Sequence, residues 1–540
     1  MNAIPSKLEG LNNCYLNKLY QHIKDPQIEA DLNQLVSMIQ SFSKFKGKLI
    51  TKLGQALDAK CQIHGLNNKL VYFTMLVSDL NKGSDEARKL DLCVNDTITK
   101  LEASYMSFFD REVFDLSEDS YQNLLKTDKT VAYYQPMLDA IRAKGQYLLA
   151  EADEQNVTVK NIVSRLKWVS AFRKSSYDWD VETDAFNVLA GNKLEEDALR
   201  GYATPMSARN LSSKVDDAVV ESLHSTVRAH ASKICDRYGE LFQKLSHNES
   251  FREVRFFIKD TDWVKNKNVV VDAYDHFSPT LAAKVRQVLE NGYVAVGGVS
   301  GAYCATAVLS HSQVHSYVLL DYSNFKVFAH EIGHALHAHL AASKQGPLMW
   351  SAASIYQETA SLFSEQLVFN HQLCHACDDQ ERLKLLLQQI KSFQHTVIRQ
   401  IRNSTFEQKV YERRKLGELK ERDFNILWHE TFQEFYKEDA KMFWHKSAHY
   451  ITQDPFHSYS YGFGGLFAAA LFEVKEQMGE AFEPLYLNFL SKGDTEGFLD
   501  LAKPFGLNPN HPAFWENCIK NSFYKWLDEA EVLAKKLGYI

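Results

Sequence analysis

The segment Val327–Leu340, reading V-F-A-H-E-I-G-H-A-L-H-A-H-L, constrains this chain more than any other. On a helix, His330 and His334 stand one turn apart and project from the same face. Two neutral imidazoles so placed can hold a zinc ion, and Glu331, beside the first, can reach a water at that ion. A chain organised around such a helix must also supply a third ligand, groups that hold a substrate, and a cleft.

The 540 residues suffice for two or more structural units and a large core. Apolar content of 45% and charged content of 24% are ordinary, so a soluble globular protein is the expectation. A formal net charge of -7, with no dense Lys/Arg block, argues against a nucleic-acid partner held by phosphate contacts. The eight cysteines, Cys14, Cys61, Cys93, Cys235, Cys304, Cys374, Cys377 and Cys518, have no framework spacing. Reduced thiols in a cytoplasm are therefore expected. The opening residues lack the apolar core of a secretory signal, and the longest apolar run, Leu466–Phe472, is too short to cross a membrane.

Helical periodicity runs from Tyr15 to about Leu189, as in Ile28–Phe42 and Glu86–Ala103. It predicts an N-terminal helical domain, 1–195, with 196–540 as a second domain. Gly191, Asn192, Gly201 and Pro205 loosen the texture between Trp179 and Pro205 and mark that boundary. Ser212 or Ser213 is expected to cap a helix running to about Leu245. Val269–Val271 and Tyr317–Leu320 read as short strands. Ser323 or Asn324 is expected to cap the His330 helix, and Gly346-Pro347 to end it. Further helices are read over Ser351–Asn370, Arg382–Arg413, Leu471–Glu480 and Phe514–Leu537. Lys446–Gly465 reads as a loop dense in His, Tyr and Gly, whose glycines permit movement. The fold class is mainly α with a small β element.

The third ligand narrows the chemistry. A metzincin needs Gly three and His six residues past the second histidine, positions that here hold His337 and Leu340. The other common solution takes a carboxylate from the following helix, I-Y-Q-E-T-A-S-L-F-S-E-Q-L, where Glu358 is favoured as ligand and Glu365 is the rival. Two His and one Glu leave a fourth position open, the geometry of a catalytic zinc site. Glu365 then becomes a partner that orients an imidazole, and His337 a packed or supporting residue. H-Q-L-C-H-A-C (His371–Cys377) fits no common zinc knuckle and reads as a turn. His445 and His449, one turn apart without an intervening Glu, read as substrate-facing or packed.

These residues resemble the oligoendopeptidase F branch of the thimet-type oligopeptidase family. S-G-A-Y (Ser300–Tyr303), Y-V-L-L-D-Y (Tyr317–Tyr322), H-E-I-G-H-A-L-H, Q-E-T-A-S-L-F-S-E and T-V-I-R-Q-I-R-N-S-T-F-E (Thr396–Glu407) follow in that family's order. The resemblance is strong over Asn210–Phe472 and only compositional over the N-terminal third. It implies a two-lobed helical metallopeptidase with a small β element at the cleft and a deep channel that admits oligopeptides. It also implies one Zn2+ per chain, held by His330, His334 and Glu358. By position, His449 matches the family's histidine, and Tyr459 and Tyr461 match its tyrosines, with Tyr461 the preferred oxyanion donor. His457 stands where a tyrosine is usual, and Phe456 can occupy another tyrosine position. An aromatic cluster that merely packs is the alternative for this stretch.

The expected function is zinc-dependent hydrolysis of short peptides by metal-activated water, with Glu331 as general base. A substrate strand is expected to pair with Tyr317–Leu320. Two rivals remain at the level of sequence. One is a metallocarboxypeptidase or dipeptidase, which calls for a cation such as Arg399 or Arg402 to capture a terminal carboxylate. The other is a silent peptide-binding relative.

Overall fold

The computed structural model describes residues 16–174, 178–248, 251, 262–297, 299, 301–321, 324–437 and 443–540. Ser300, Tyr322 and the alternative cap Ser323 lie outside them. Helices dominate, as the periodicity predicts. In the N-terminal third, α1 (Pro26–Phe42), α2 (Leu49–Leu80) and α3 (Asp85–Tyr105) pack together. Asp25 caps α1 by accepting from the Gln27 amide, and Pro26 supplies the preset first turn. The apolar face of α1, Ile28, Leu35, Ile39 and Phe42, is buried.

Helix α4 (Trp179–Arg200) runs through the segment read as loose. Gly191 lies inside it, with the Arg414 guanidinium 2.9 Å from where a Cβ would stand, and Gly201 (φ +80°) ends it. The expected boundary at 195/196 thus falls within a helix. Helix α5 (Asp217–His247) begins after Asp216, so neither Ser212 nor Ser213 caps it. Both serines belong to the end of a preceding short helix, Ser207–Ser212, and its turn. Val269–Val271 is not a strand. It is a turn of α6 (Trp263–Phe277), which Asp262 caps and which buries Val270.

The small sheet contains β1 (Val294–Val296), β2 (Tyr303–Val308) and β3 (Val314–Leu320) in the order β1-β3-β2. β3 pairs in parallel with β1 and antiparallel with β2, with Tyr303 opposite Leu319 and Val308 opposite Val314. The strand Tyr317–Leu320 is therefore central, with both its edges already bonded. A substrate cannot add to it, and the expectation that it would is corrected. β2 is the outer strand on its side of the sheet, with its Val308 carbonyl accepting from Asn68 of α2 at 3.0 Å.

Asn324 caps α7 (Phe325–Met349) by accepting from the Lys326 and Val327 amides. Gly346 (φ +65°) breaks the helical path before Pro347, yet the element continues to Met349. Helix α8 (Ser354–Cys374) returns along α7, and α9 (Asp379–Phe393) continues through a π-helical turn over Gln394–Arg399 into α10 (Gln400–Arg414). The stretch read as a loop is helical from Tyr459 onward: α11 (Tyr459–Met478) packs against α8. Its glycines are not hinges. A Cβ on Gly464 would meet the backbone of Glu358 and Thr359 at 2.7 Å, so glycine there permits close approach of α11 to α8. The final helices include Phe514–Ile519 and Lys525–Lys536, as expected. Among the described residues, no helix is long and apolar enough to cross a membrane.

Candidate active site

Helix α7 presents His330 and His334 side by side, their ring centroids 4.9 Å apart and nearly perpendicular. Helix α8 lies unusually near because Gly333 has no side chain; a Cβ there would sit 2.6 Å from the Ser361 Cα. That approach brings Glu358 Oε2 to 3.4 Å from His330 Nε2 and 3.8 Å from His334 Nε2. The ligand atoms of these three residues all lie within 4.8 Å of one another. Among the described residues, this is the one His/Cys/Asp/Glu group that converges so.

Each of these three candidate ligands is held from behind. His330 Nδ1 donates to Glu365 Oε1 at 2.7 Å, and Lys326 pairs with the other Glu365 oxygen at 3.1 Å. The Ser361 hydroxyl donates to Glu358 Oε2 at 3.0 Å. His334 bonds the Gln357 backbone. Glu365 thus bonds an imidazole from outside the His330–His334–Glu358 cluster. His337 is buried and stacks on Phe489.

The charges at this site call for a cation. Glu331, Glu358 and Glu365 surround the two imidazoles with little access to water. Burial opposes the His330 charge, but hydrogen bonds to Glu358 and Glu365 outweigh it and raise its proton affinity well above normal. Burial would raise the Glu358 pKa, yet His334 and His330 pull it down to about 2. Burial lowers His334 to about 4, leaving it the neutral imidazole that a metal requires. Two imidazoles facing the Glu358 carboxylate, with Glu331 and Glu365 beside them, form a donor set that fits a metal cation.

Glu331 faces the same space. Burial, with the charges of Glu358 and Glu365, lifts it to about 7 against the pull of His330, and the Cys304 amide of β2 donates to it. Across a cavity of about 350 Å³ stand His449, His457 and Tyr461, with Tyr303 and Thr306 from β2 along one side. Tyr461 is part of this lining. Tyr459 is not: it is fully buried, and its hydroxyl donates to Asn210 Oδ1 at 3.0 Å. On a helix, residues two apart point in nearly opposite directions, so only one of these tyrosines can reach the cleft.

Four contributors, Tyr72, Asp79, Arg209 and Glu407, have a role at this site that the sequence does not show. Tyr72 of α2 lines the cavity, and Asp79 of the same helix accepts from Tyr303 at 2.7 Å, so the N-terminal third forms a wall. Arg209 reaches Ser354, Ser460 (3.2 Å), the Pro455 carbonyl (3.4 Å) and His457 (3.5 Å). Glu407 accepts from the Phe456 amide at 2.9 Å and holds that residue in a left-handed conformation, φ +61°. The cluster Thr405-Phe406-Glu407 was visible in sequence, but its hold on the His457 turn was not. Phe456 itself is buried against Tyr411 and offers no donor to the cleft.

The remaining candidates do not converge on the cavity. His371 and His375 flank a turn near His276, with ring centroids 4.3–5.8 Å apart. His445 packs on Trp179. Arg402 is buried against Trp428 and Phe432.

Residues 300–520 match the family model of Peptidase family M3. The chain is 22% identical to oligopeptidase PepF of Bacillus subtilis (strain 168) over 597 residues, covering 96% of this chain and 85% of the relative. It is 26% identical to the chromosomal oligoendopeptidase F of Lactococcus lactis subsp. cremoris, over 63% of this chain and 58% of that one. The crystal structure of oligoendopeptidase F from Enterococcus faecium superposes with a TM-score of 0.68 at 16% identity, covering 95% and 99% of the two chains. The fold is that of a helical peptidase, and the matches support that class. Its similarity runs along the oligoendopeptidase F branch of Peptidase family M3.

Proposed function

We propose that this chain is a cytoplasmic zinc-dependent endopeptidase that hydrolyses short oligopeptides. The observation that carries the reading is the convergence of His330, His334 and Glu358 beneath a cavity that Glu331 also faces. Two imidazoles and one carboxylate suit zinc and leave a coordination position for chemistry. Bound there, Zn2+ would supply a Lewis acid for the scissile carbonyl and lower the pKa of the attacking water.

The chain's own groups do the rest. Glu331 takes the water's proton and returns it to the leaving amide nitrogen, a role suited to a carboxyl whose pKa burial has lifted. His449 and Tyr461 face Glu331 across the cavity and donate to the developing oxyanion. Burial and the nearby Glu358 and Glu331 charges keep the Tyr461 phenol protonated. A peptide strand pairs with the outer edge of β2, where backbone hydrogen bonds give affinity with limited side-chain selectivity. Among the described residues lining the cavity there is no Lys or Arg. That supports internal cleavage over capture of a terminal carboxylate.

Metal content by mass spectrometry, measured with peptide cleavage for wild type and Glu331→Ala, tests this reading. We expect one zinc per chain in both proteins and cleavage only in the wild type. A zinc-loaded wild type that cuts no peptide would overturn it.

A further inference from the structure

His457 faces the cavity with both ring nitrogens engaged. Arg209 Nη2 lies 3.5 Å from Nδ1, and the Tyr461 hydroxyl lies 3.4 Å from Nε2. A guanidinium has no acceptor, so Nδ1 must accept and the ring proton must sit on Nε2. The Nε2–H then donates to the Tyr461 oxygen. With that lone pair occupied, the Tyr461 proton is turned away from His457 and into the cavity.

Arg209 is itself fixed. Its Nη2 hydrogens are shared among His457, Ser354 at the start of α8 and Ser460 on α11, and its Nη1 donates to the Pro455 carbonyl. The Ser354 and Ser460 hydroxyls also bond each other at 2.8 Å. The guanidinium therefore cannot follow His457 if the ring rotates. The Glu407 grip on Phe456 immobilises the residue just before it. Hydrogen bonds in series polarise one another, so the chain of donors strengthens its last member.

We propose that His457 is a positioning residue: Arg209 holds it as the Nε2–H tautomer, and that N–H aims the Tyr461 hydroxyl at the substrate's developing oxyanion. The substrate end of this relay rests on the peptidase reading above; the tautomer does not. A phenol in place of His457 would have no fixed direction of donation. The imidazole, with one nitrogen claimed by an arginine, has only one.

Two measurements test it on the zinc-loaded protein. Long-range nitrogen-15 NMR of histidine-labelled protein, with the His457 signals assigned by their loss in His457→Gln, reads the tautomer. We expect Nε2–H in wild type and in Arg209→Lys, and a mixture in Arg209→Met. An Nδ1–H tautomer in wild type overturns the proposal. In kinetics, His457→Phe should lower kcat by about 10–100-fold with KM little changed, as when a group orienting a reacting residue is lost. His457→Gln, whose amide N–H can donate to the same hydroxyl, should recover most of that loss. In a Tyr461→Phe background, His457→Phe should cost nothing further. Independent, multiplying losses, or a loss expressed in KM alone, overturn the relay. Absence of any cleavage by wild type sinks the peptidase reading and the oxyanion end with it, while the NMR still decides the tautomer.

Discussion

Adding one methyl group at Gly333 should damage the metal site without touching a ligand. The Cβ of Gly333→Ala would lie 2.6 Å from the Ser361 Cα, 2.7 Å from the Ala360 carbonyl oxygen and 3.0 Å from the Ser361 nitrogen. All three are backbone atoms, so no side chain can swing away. To restore ordinary contact, α8 must retreat from α7 by about 0.8 Å. Glu358 sits one turn before Ser361 on that helix and must move with it. A zinc site tolerates roughly 0.2 Å in its ligand distances, so the shift exceeds tolerance several-fold. We expect a stability cost of about 1–3 kcal/mol from overpacking. We also expect at least a 10-fold loss of zinc affinity, on the order seen when ligand-supporting groups are removed. Chelator competition monitored by metal content gives the affinity, and thermal unfolding of the apo protein gives the stability. Gly465→Ala is the control, because its Cβ meets only the movable side chains of Phe393, Val397 and Thr396 at 3.2–3.5 Å. A Gly333→Ala protein with wild-type zinc affinity would refute the claim that close helix approach sets the ligand geometry.

Tyr461→Phe should lower kcat by about 100-fold or more at little cost in KM, whereas Tyr459→Phe should leave kcat intact and cost about 1 kcal/mol of stability; steady-state kinetics and denaturant melts separate the two. Glu365→Ala removes the acceptor of His330 and should weaken zinc binding about 10–100-fold, read by chelator competition. Burial lifts Glu407 from 4.5 to about 8, against the pull of the Phe456 amide, so the folded state retains a proton that the unfolded state releases. Stability from this group is fully present below pH 4.5 and falls as pH rises toward 8. Glu407→Gln keeps an acceptor for the Phe456 amide and should shrink the drop in Tm between pH 5.5 and 8; an unchanged drop would count against a buried neutral carboxyl.

What could be read in the sequence was what spacing encodes. His330, Glu331 and His334 share one helix, and Glu358 and Glu365 share the next, so turn geometry alone brought each set onto a face. The cap at Asn324 and the mainly helical fold followed from local chemistry. Errors arose where tertiary packing overrode local texture. Glycine, serine and tyrosine over 458–465 look like a loop, yet the glycines exist so that α11 can press on α8 and Ile401. Read as a loop, the stretch leaves Tyr459 as a second candidate behind Tyr461, whereas on a helix the two point in nearly opposite directions. Tyr317–Leu320 was legible as a strand but not as a central one, because strand order depends on β1 and β2. Tyr72 and Arg209 come from distant segments and carry no motif, so no spacing could announce them.

A mass-spectrometric time course on an N-acetylated, C-amidated oligopeptide with zinc-loaded protein tests the central claim most directly. Blocking both ends removes every terminal handle and leaves only backbone pairing and the metal site. The account predicts internal cleavage by wild type and none by Glu331→Gln, with zinc still bound stoichiometrically in both. An intact blocked peptide, while the same sequence with free ends is trimmed one or two residues at a time, would contradict it.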